Sequence, residues 1–139
     1  MILLDTNVVS EMARPAPEPR VIAFLSRHED DLFLSVLTLA ELHRGVALMP
    51  IGRRRQALAD WVEHELPNRF SGRVLALAEQ DAPVWGELMA RSRREGLNLQ
   101  IIDSLLAASA LSRHFAVATR NRKHFEGLGL RLINPWEGV

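Results

Sequence analysis

The hydrophobic pattern of the chain begins with a short apolar run at residues 2–4 that ends at Asp5. A continuous run of this length, bounded by a polar residue, is typical of a strand buried on both faces of a sheet. We predict further strands at residues 32–36, 115–119 and 131–133. The pair at residues 74–75 is either another short strand or part of a connection, and the sequence leaves both readings open.

Between the predicted strands, apolar residues recur at helical spacing. Thr38 is placed to cap the helix that follows the second strand, and Pro67 is placed to end a later one. Asp81 is expected to cap a long helix that Gly96 terminates. The other helices are predicted at residues 8–12, 21–27, 39–46, 53–66, 104–113 and 121–126.

Strands and helices therefore alternate along the whole chain. This alternation favours a parallel sheet that is covered by helices on both faces. No internal repeat, low-complexity tract or linker divides the sequence. We predict a single α/β domain that spans residues 1–139.

Composition narrows the classes of protein that fit. The chain has 139 residues, of which 47% are apolar, and it has no cysteine. That length suits one domain, and the absence of cysteine excludes disulfides, zinc fingers, iron–sulfur clusters and a thiol nucleophile. No signal peptide or membrane span is recognisable. We therefore expect a cytoplasmic protein.

The charges balance, with 17 basic and 17 acidic residues. Neutrality argues against a polybasic mode of binding, but it does not exclude nucleic acid because the two signs can be separated locally. Lys123 is the only lysine, and the other 16 basic residues are arginine. Codon composition of the source genome is the simpler explanation of this bias, although arginine also binds phosphate well through its planar fork of donors.

Three carboxylates lie at or near the predicted carboxyl ends of strands, where open parallel sheets form their sites. Asp5 follows the first strand, Glu41 lies one turn into the helix after the second, and Asp103 opens a helix after an isoleucine pair. Each also has a purely structural reading. Asp5 and Asp103 could cap helices, and Glu41 could pair with Arg44 on its own helix.

Considered together, the three acids point to a metal. If the strand before Asp5 neighbours the strand at residues 115–119, all three acids can meet at one edge of the sheet. Clustered carboxylates repel one another unless a cation neutralises them, and magnesium or manganese suits carboxylate and water ligands. Such an ion can activate water against a phosphodiester.

Other common chemistries lack their motifs. The five histidines show no H-E-x-x-H spacing, and the chain has no G-x-S-x-G elbow, Walker loop or G-x-G-x-x-G. The arginine run at residues 53–55 is typical of a solvated helix start. The three tryptophans are typical of core or interface anchors.

Five short segments occur in order along the chain: LLDTNV at residues 3–8, SVLTLAEL at 35–42, ID at 102–103, ATRN at 118–121 and INPW at 133–136. Together they resemble the motifs of the PIN-domain ribonucleases, and more narrowly those of the VapC and FitB type toxins of bacterial toxin–antitoxin pairs. The resemblance implies a three-layer α/β/α sandwich with a central parallel sheet. It also implies an Mg²⁺ or Mn²⁺ dependent endoribonuclease acting on RNA, a cognate antitoxin, contact with promoter DNA only through that antitoxin, and a homodimer.

The resemblance also implies roles for individual residues. Asp5 and Asp103 would ligate the metal, and Glu41 would hold a water molecule at the metal or help to activate it. Thr6 and Asn7 match a polar pair that could steady the first acid. Many relatives have a fourth acid in the fifth segment, immediately after its arginine or three residues further on.

Here those two positions hold Asn121 and His124. Asn121 could contact a ligand without adding charge, and His124 is either a phosphate contact or a surface histidine. With three acids, we expect one firmly bound metal. The missing acid also keeps open a catalytically weak protein that works through an antitoxin in a repressor complex. A phosphatase of the haloacid-dehalogenase type ranks last, because its second aspartate would fall at Asn7.

Overall fold

A single parallel sheet forms the centre of the structure, a computed structural model that describes residues 1–137. The strands within those residues are β1 (Ile2–Leu4), β2 (Leu32–Ser35), β3 (Val74–Leu75), β4 (Ala116–Ala118) and β5 (Leu132–Ile133). Their order across the sheet is β3-β2-β1-β4-β5, and every neighbouring pair is parallel. The predicted parallel sheet is confirmed, and the pair at residues 74–75 is a strand.

Helical segments connect the strands. The α-helices are α1 (Thr6–Glu11), α2 (Pro19–Arg27), α3 (Val36–Ala47), α4 (Arg53–Asp60), α5 (Leu66–Arg69), α6 (Asp81–Arg94) and α7 (Ile101–Arg113). A π-helical turn, Trp61–Glu65, joins α4 to α5. Short 3₁₀ turns lie at Glu29–Asp31, Arg122–His124 and Pro135–Glu137.

The core has two halves, one on each face of the sheet. Alternate residues of a strand point to opposite faces, so Ile2 and Leu4 of β1 join one hydrophobic cluster while Leu3 joins the other. The first cluster includes residues of α1, α2 and α5, and the second includes residues of α6 and α7. The architecture is therefore the expected three-layer α/β/α sandwich.

The start of α3 differs from the prediction. Ser35, and not Thr38, is the N-cap, because its hydroxyl accepts a hydrogen bond from the backbone N–H of Leu37 at 3.1 Å. Thr38 is buried inside the helix, and its hydroxyl donates to the carbonyl of Leu4 at 3.5 Å. This contact joins the first turn of α3 to the end of β1.

The predictions for Pro67 and Asp81 were wrong in detail. Pro67 does not end the helical segment, which continues to Arg69; it lies in the first turn of α5, where its missing N–H is tolerated. Asp81 is the first residue of α6 and follows the N-cap position, which Gln80 occupies. Its buried carboxylate instead pairs with Arg113 of α7, at 2.7 Å from Nη1 to Oδ1.

The amphipathic helices at residues 53–66 and 81–96 could offer apolar faces for the homodimer that the resemblance implies, but these faces are largely used inside the monomer. Val62, Leu66 and Leu88 are buried. Trp85 is half-buried and donates its indole N–H to the hydroxyl of Ser104 at 2.9 Å. Within residues 1–137, no helix is both long enough and apolar enough to cross a bilayer.

We expect the fold to lose stability in acid. Burial alone would raise the pKa of Asp81, but hydrogen bonds from Ser112 and Arg113 outweigh it and hold the pKa below its ordinary value. The hydrogen bonds from Arg69 likewise lower the pKa of Glu29. Depressed folded-state pKa values contribute stability above the unfolded values of about 4, and this contribution is lost as the pH falls through the folded values. The urea midpoint should therefore be lower at about pH 3 than at about pH 7.

The Asp81→Asn variant is the matched comparison for this measurement, because it removes one of the two titrating groups. Its urea midpoint should be lower at neutral pH and should fall less on acidification. Equal acid dependence in the variant and the wild-type chain would contradict the assignment to Asp81.

Candidate active site

The three predicted acids lie at the carboxyl edge of the sheet because of the directions in which the strands and helices beside them run. Asp5 directly follows β1, and α3, which carries Glu41, starts where β2 ends. Asp103 does not follow a strand, because the isoleucine pair before it belongs to α7. Since α7 returns to the amino edge to begin β4, its first turn lies at the carboxyl edge, and Asp103 is in that turn.

Asp5 is buried and fully engaged by its neighbours, with an exposed fraction of 5%. It caps α1, because Oδ1 accepts from the backbone N–H of Thr6 at 2.8 Å. Oδ2 accepts from the hydroxyl of Thr119 at 2.8 Å and from the side-chain amide of Asn7 at 3.1 Å. The capping reading is therefore correct, but it leaves out the two contacts that fix the carboxylate at the sheet edge.

Thr119 is a site residue for which the sequence analysis predicted no role. It is fully buried at the end of β4, and its hydroxyl also accepts from the backbone N–H of Asn121 at 3.0 Å. Strand register offers the signal that could have found it. Because Leu4 pairs with Ala118, the next residues along the two strands, Asp5 and Thr119, are also neighbours.

Glu41 is exposed and is held by Thr6. The Thr6 hydroxyl donates to Oε1 of Glu41 at 2.5 Å, so it steadies the second acid rather than the first. Asn7 does contact the first acid, and its Oδ1 accepts from the backbone N–H of Arg120. The alternative ion pair with Arg44 is not among the ion pairs of residues 1–137. Because Thr6 directly follows Asp5, this hydrogen bond places Glu41 close to the first acid.

The surroundings of Asp103 disfavour its charged form. Burial raises the pKa of Asp103, the charge of Asp5 raises it further, and Glu41 adds to the effect, while His124 opposes it. The Nδ1 atom of His124 lies 3.2 Å from Oδ2 of Asp103. His124 is therefore an exposed histidine, with 51% of its side-chain surface accessible, that also contacts a site carboxylate.

The donor set fits a hard divalent cation that retains water. Within residues 1–137, no group of three or more acidic or histidine side chains forms a ready-made metal site. Mg²⁺ usually takes one or two carboxylates and completes its shell with water and substrate phosphate. The charges of Asp5 and Glu41 raise the pKa of Asp103, and a cation at this edge would relieve that repulsion.

Comparison with known proteins agrees with the order of the motifs. The PIN domain family matches residues 2–129 of the chain. The chain belongs to this family. The Plasmid stability protein StbB of Pseudomonas syringae is 44% identical to this chain, with 99% of both chains covered. VapC ribonuclease Y4jK of Sinorhizobium fredii is 39% identical over 99% of both chains. Toxin FitB of Neisseria gonorrhoeae is 37% identical over 98% of this chain and 99% of its own.

Solved structures show the same arrangement of this PIN domain. The crystal structure of FitAcB from Neisseria gonorrhoeae superposes with a TM-score of 0.90 at 36% identity, covering 98% of this chain and 99% of that one. The structure of FitAB bound to an IR36 DNA fragment superposes with a TM-score of 0.90 at the same identity, covering 98% and 96%. The fold is therefore shared over nearly the whole chain.

Proposed function

We propose that the chain is a metal-dependent endoribonuclease that acts as the toxin of a toxin–antitoxin pair. The convergence of Asp5, Glu41 and Asp103 at the carboxyl edge of the sheet carries the proposal: burial raises the pKa of Asp103, and the charges of Asp5 and Glu41 raise it further. Membership of the PIN-domain family supports a nuclease. The similarity to VapC ribonuclease Y4jK supports RNA as the substrate.

Asp5 and Asp103 are the residues that would hold Mg²⁺ or Mn²⁺. Bound there, the ion would make a water molecule more acidic and would neutralise charge that develops on the phosphodiester. Asp5 is suited to this task because Thr119, Asn7 and the backbone of Thr6 fix its orientation. Asp103 is fixed on its other side by His124.

Glu41 is the proposed proton acceptor for the attacking water. Its Oε1 is engaged by Thr6, and Oε2 accepts no hydrogen bond from residues 1–137, so it can receive the proton. Asn121 stands at the end of β4 next to Thr119, and it is exposed. Its amide can donate a hydrogen bond to a phosphate oxygen, in the region where a fourth acid would otherwise stand.

An antitoxin is the proposed protein partner, with promoter DNA bound only through it. The structure of FitAB bound to a DNA fragment supports this proposal, because one chain of that complex resembles this protein over nearly its whole length. A homodimer is proposed as well. Exposed apolar side chains between α3 and α4, Leu48 at 72% and Ile51 at 92%, offer a surface for such contacts.

The proposal is tested by incubating the purified, antitoxin-free chain with end-labelled RNA in Mg²⁺ or Mn²⁺. We expect internal cleavage with either ion, and its loss when EDTA removes the metal. Calorimetric titration with Mn²⁺ gives an independent readout. Undetectable metal binding together with undetectable cleavage would overturn the proposal and favour a protein that works only within a repressor complex.

The Thr119→Val variant should bind metal about 10–100-fold more weakly, because a residue that orients a ligand typically contributes this much. Valine keeps the shape of threonine but cannot donate to Oδ2 of Asp5. Calorimetry with Mn²⁺ measures the change. Thr119→Ser, which keeps the hydroxyl, is the matched control and should retain most of the affinity. Equal weakening in both variants would indicate a packing effect in place of the hydrogen bond.

A further inference from the structure

A cavity of about 320 Å³ lies beside Asp103, on the side of this acid that His124 contacts. One wall is the connection between α6 and α7 at residues 97–100, and the other is the segment after β4 at residues 123–128. The volume lies at the lower end of the range for ligand pockets, about 300–1,000 Å³. This space suits one small planar group.

The lining combines apolar surfaces with hydrogen-bonding groups. Leu99 and Leu128 contribute apolar surface, and Leu97 exposes 40% of its side chain. Gln100 and Glu126 contribute an amide and a carboxylate. An unstacked nucleobase has the complementary character, since its faces are apolar and its edge carries donors and acceptors.

The position of the cavity ties it to the acids. Asp103 belongs both to the acidic cluster and to the cavity wall, and His124, which lies 3.2 Å from Asp103, also lines the cavity. A nucleotide whose phosphate lay at the acids would therefore have its base within reach of the cavity. Lys123, the only lysine of the chain, is also part of the lining and can contact a neighbouring phosphate.

We propose that this cavity is a base-recognition subsite for the nucleotide next to the scissile phosphate, and that it prefers bases with an exocyclic amino group. Glu126 and the amide oxygen of Gln100 are acceptors that such an amino group can satisfy, in the way that Glu and Asp accept from cytosine N4. Uracil has no exocyclic amino group and is the disfavoured base. This inference rests on the proposed function, because it presumes RNA at the acidic cluster.

The single lysine makes the subsite directly observable. Reductive methylation with ¹³C-formaldehyde labels Lys123 and the amino terminus of the chain, and the dimethylated lysine keeps its charge. We expect AMP, CMP and GMP to shift the Lys123 resonance and UMP to require several-fold higher concentration. The amino-terminal resonance is the internal control, because Met1 precedes β1 at the opposite edge of the sheet.

Glu126→Gln is the specificity variant, since it replaces an acceptor with a group that also donates. It should reduce the preference for amino-bearing bases over uracil by about tenfold, seen in KM for short RNAs that differ at one base, with little change in kcat. Glu79→Gln, an exposed change at a residue outside the cavity lining, is the matched control and should alter neither quantity.

The outcomes separate this inference from the proposed function. A Lys123 resonance that no nucleotide shifts, or that all four shift equally, overturns the subsite even if RNA is cleaved in a metal-dependent way. Selective nucleotide binding by a chain that cleaves no RNA would overturn the nuclease and leave the cavity as a base-selective nucleotide site. Unchanged base preference in Glu126→Gln would contradict the role of that carboxylate.

Discussion

The Asp5→Asn variant is expected to cleave RNA about 1,000-fold more slowly than the wild-type chain, because a well-placed metal ion stabilises the transition state by several kcal/mol. Asparagine has nearly the shape of aspartate and its carbonyl oxygen can still cap α1. It has no charge, however, and so forms a much weaker ligand for a hard cation. Asp103→Asn should have a comparable effect. The rate of cleavage of end-labelled RNA under single-turnover conditions measures both.

The matched control is Asp30→Asn, which makes the same chemical change at an exposed position in the turn Glu29–Asp31. It should cleave RNA at the wild-type rate. Circular dichroism and the urea midpoint establish that the site variants remain folded. Wild-type cleavage by folded Asp5→Asn and Asp103→Asn proteins would refute the metal mechanism.

The Arg113→Ala variant is expected to lower the free energy of unfolding by about 3–5 kcal/mol, because it leaves a buried charge without its partner. Arg113 lies 2.7 Å from Oδ1 of Asp81, and the two side chains expose 14% and 6% of their surfaces. Arg113 also donates to the carbonyl of Ser109 near the end of α7. The pair thus joins α6 to α7, the helices that cover one face of the sheet.

Urea denaturation at neutral pH measures this loss. Arg94→Ala is the matched control, because Arg94 and Glu87 form an exposed pair at 3.9 Å, with side-chain exposures of 64% and 81%. Such pairs contribute at most about 1 kcal/mol. A loss of stability no larger in Arg113→Ala than in Arg94→Ala would show that the buried pair contributes little to the fold.

The sheet and the position of Asp5 were predictable because they follow from local patterns. The apolar run of β1 is short and continuous, and parallel topology then fixes the edge at which Asp5 must lie. Alternation of strands and helices was enough to predict layers on both faces. The helix that carries Glu41 was placed correctly even though its cap was misassigned, since the cap shifts the start by only a few residues.

The remaining errors share a physical origin in tertiary contacts. Asp81 looked like a cap because aspartate favours that position, but Arg113, 32 residues further on, determines its role. Thr119 has no distinctive local signal, and its importance depends on the strand register, while the contact of His124 with Asp103 depends on the path of the chain after β4. Pro67 appeared to be a stop because a π-helical turn before it cannot be read from the spacing.

The central position of β1 has a consequence for how the protein is made on the ribosome. β1 is the first strand to be synthesised, yet one of its two neighbours in the sheet is β4, near the other end of the chain. Translation of the residues between Asp5 and Thr119 takes on the order of ten seconds at typical elongation rates. Until then the nascent chain lacks the hydroxyl that orients Asp5, so no fragment released early can contain a complete acidic site.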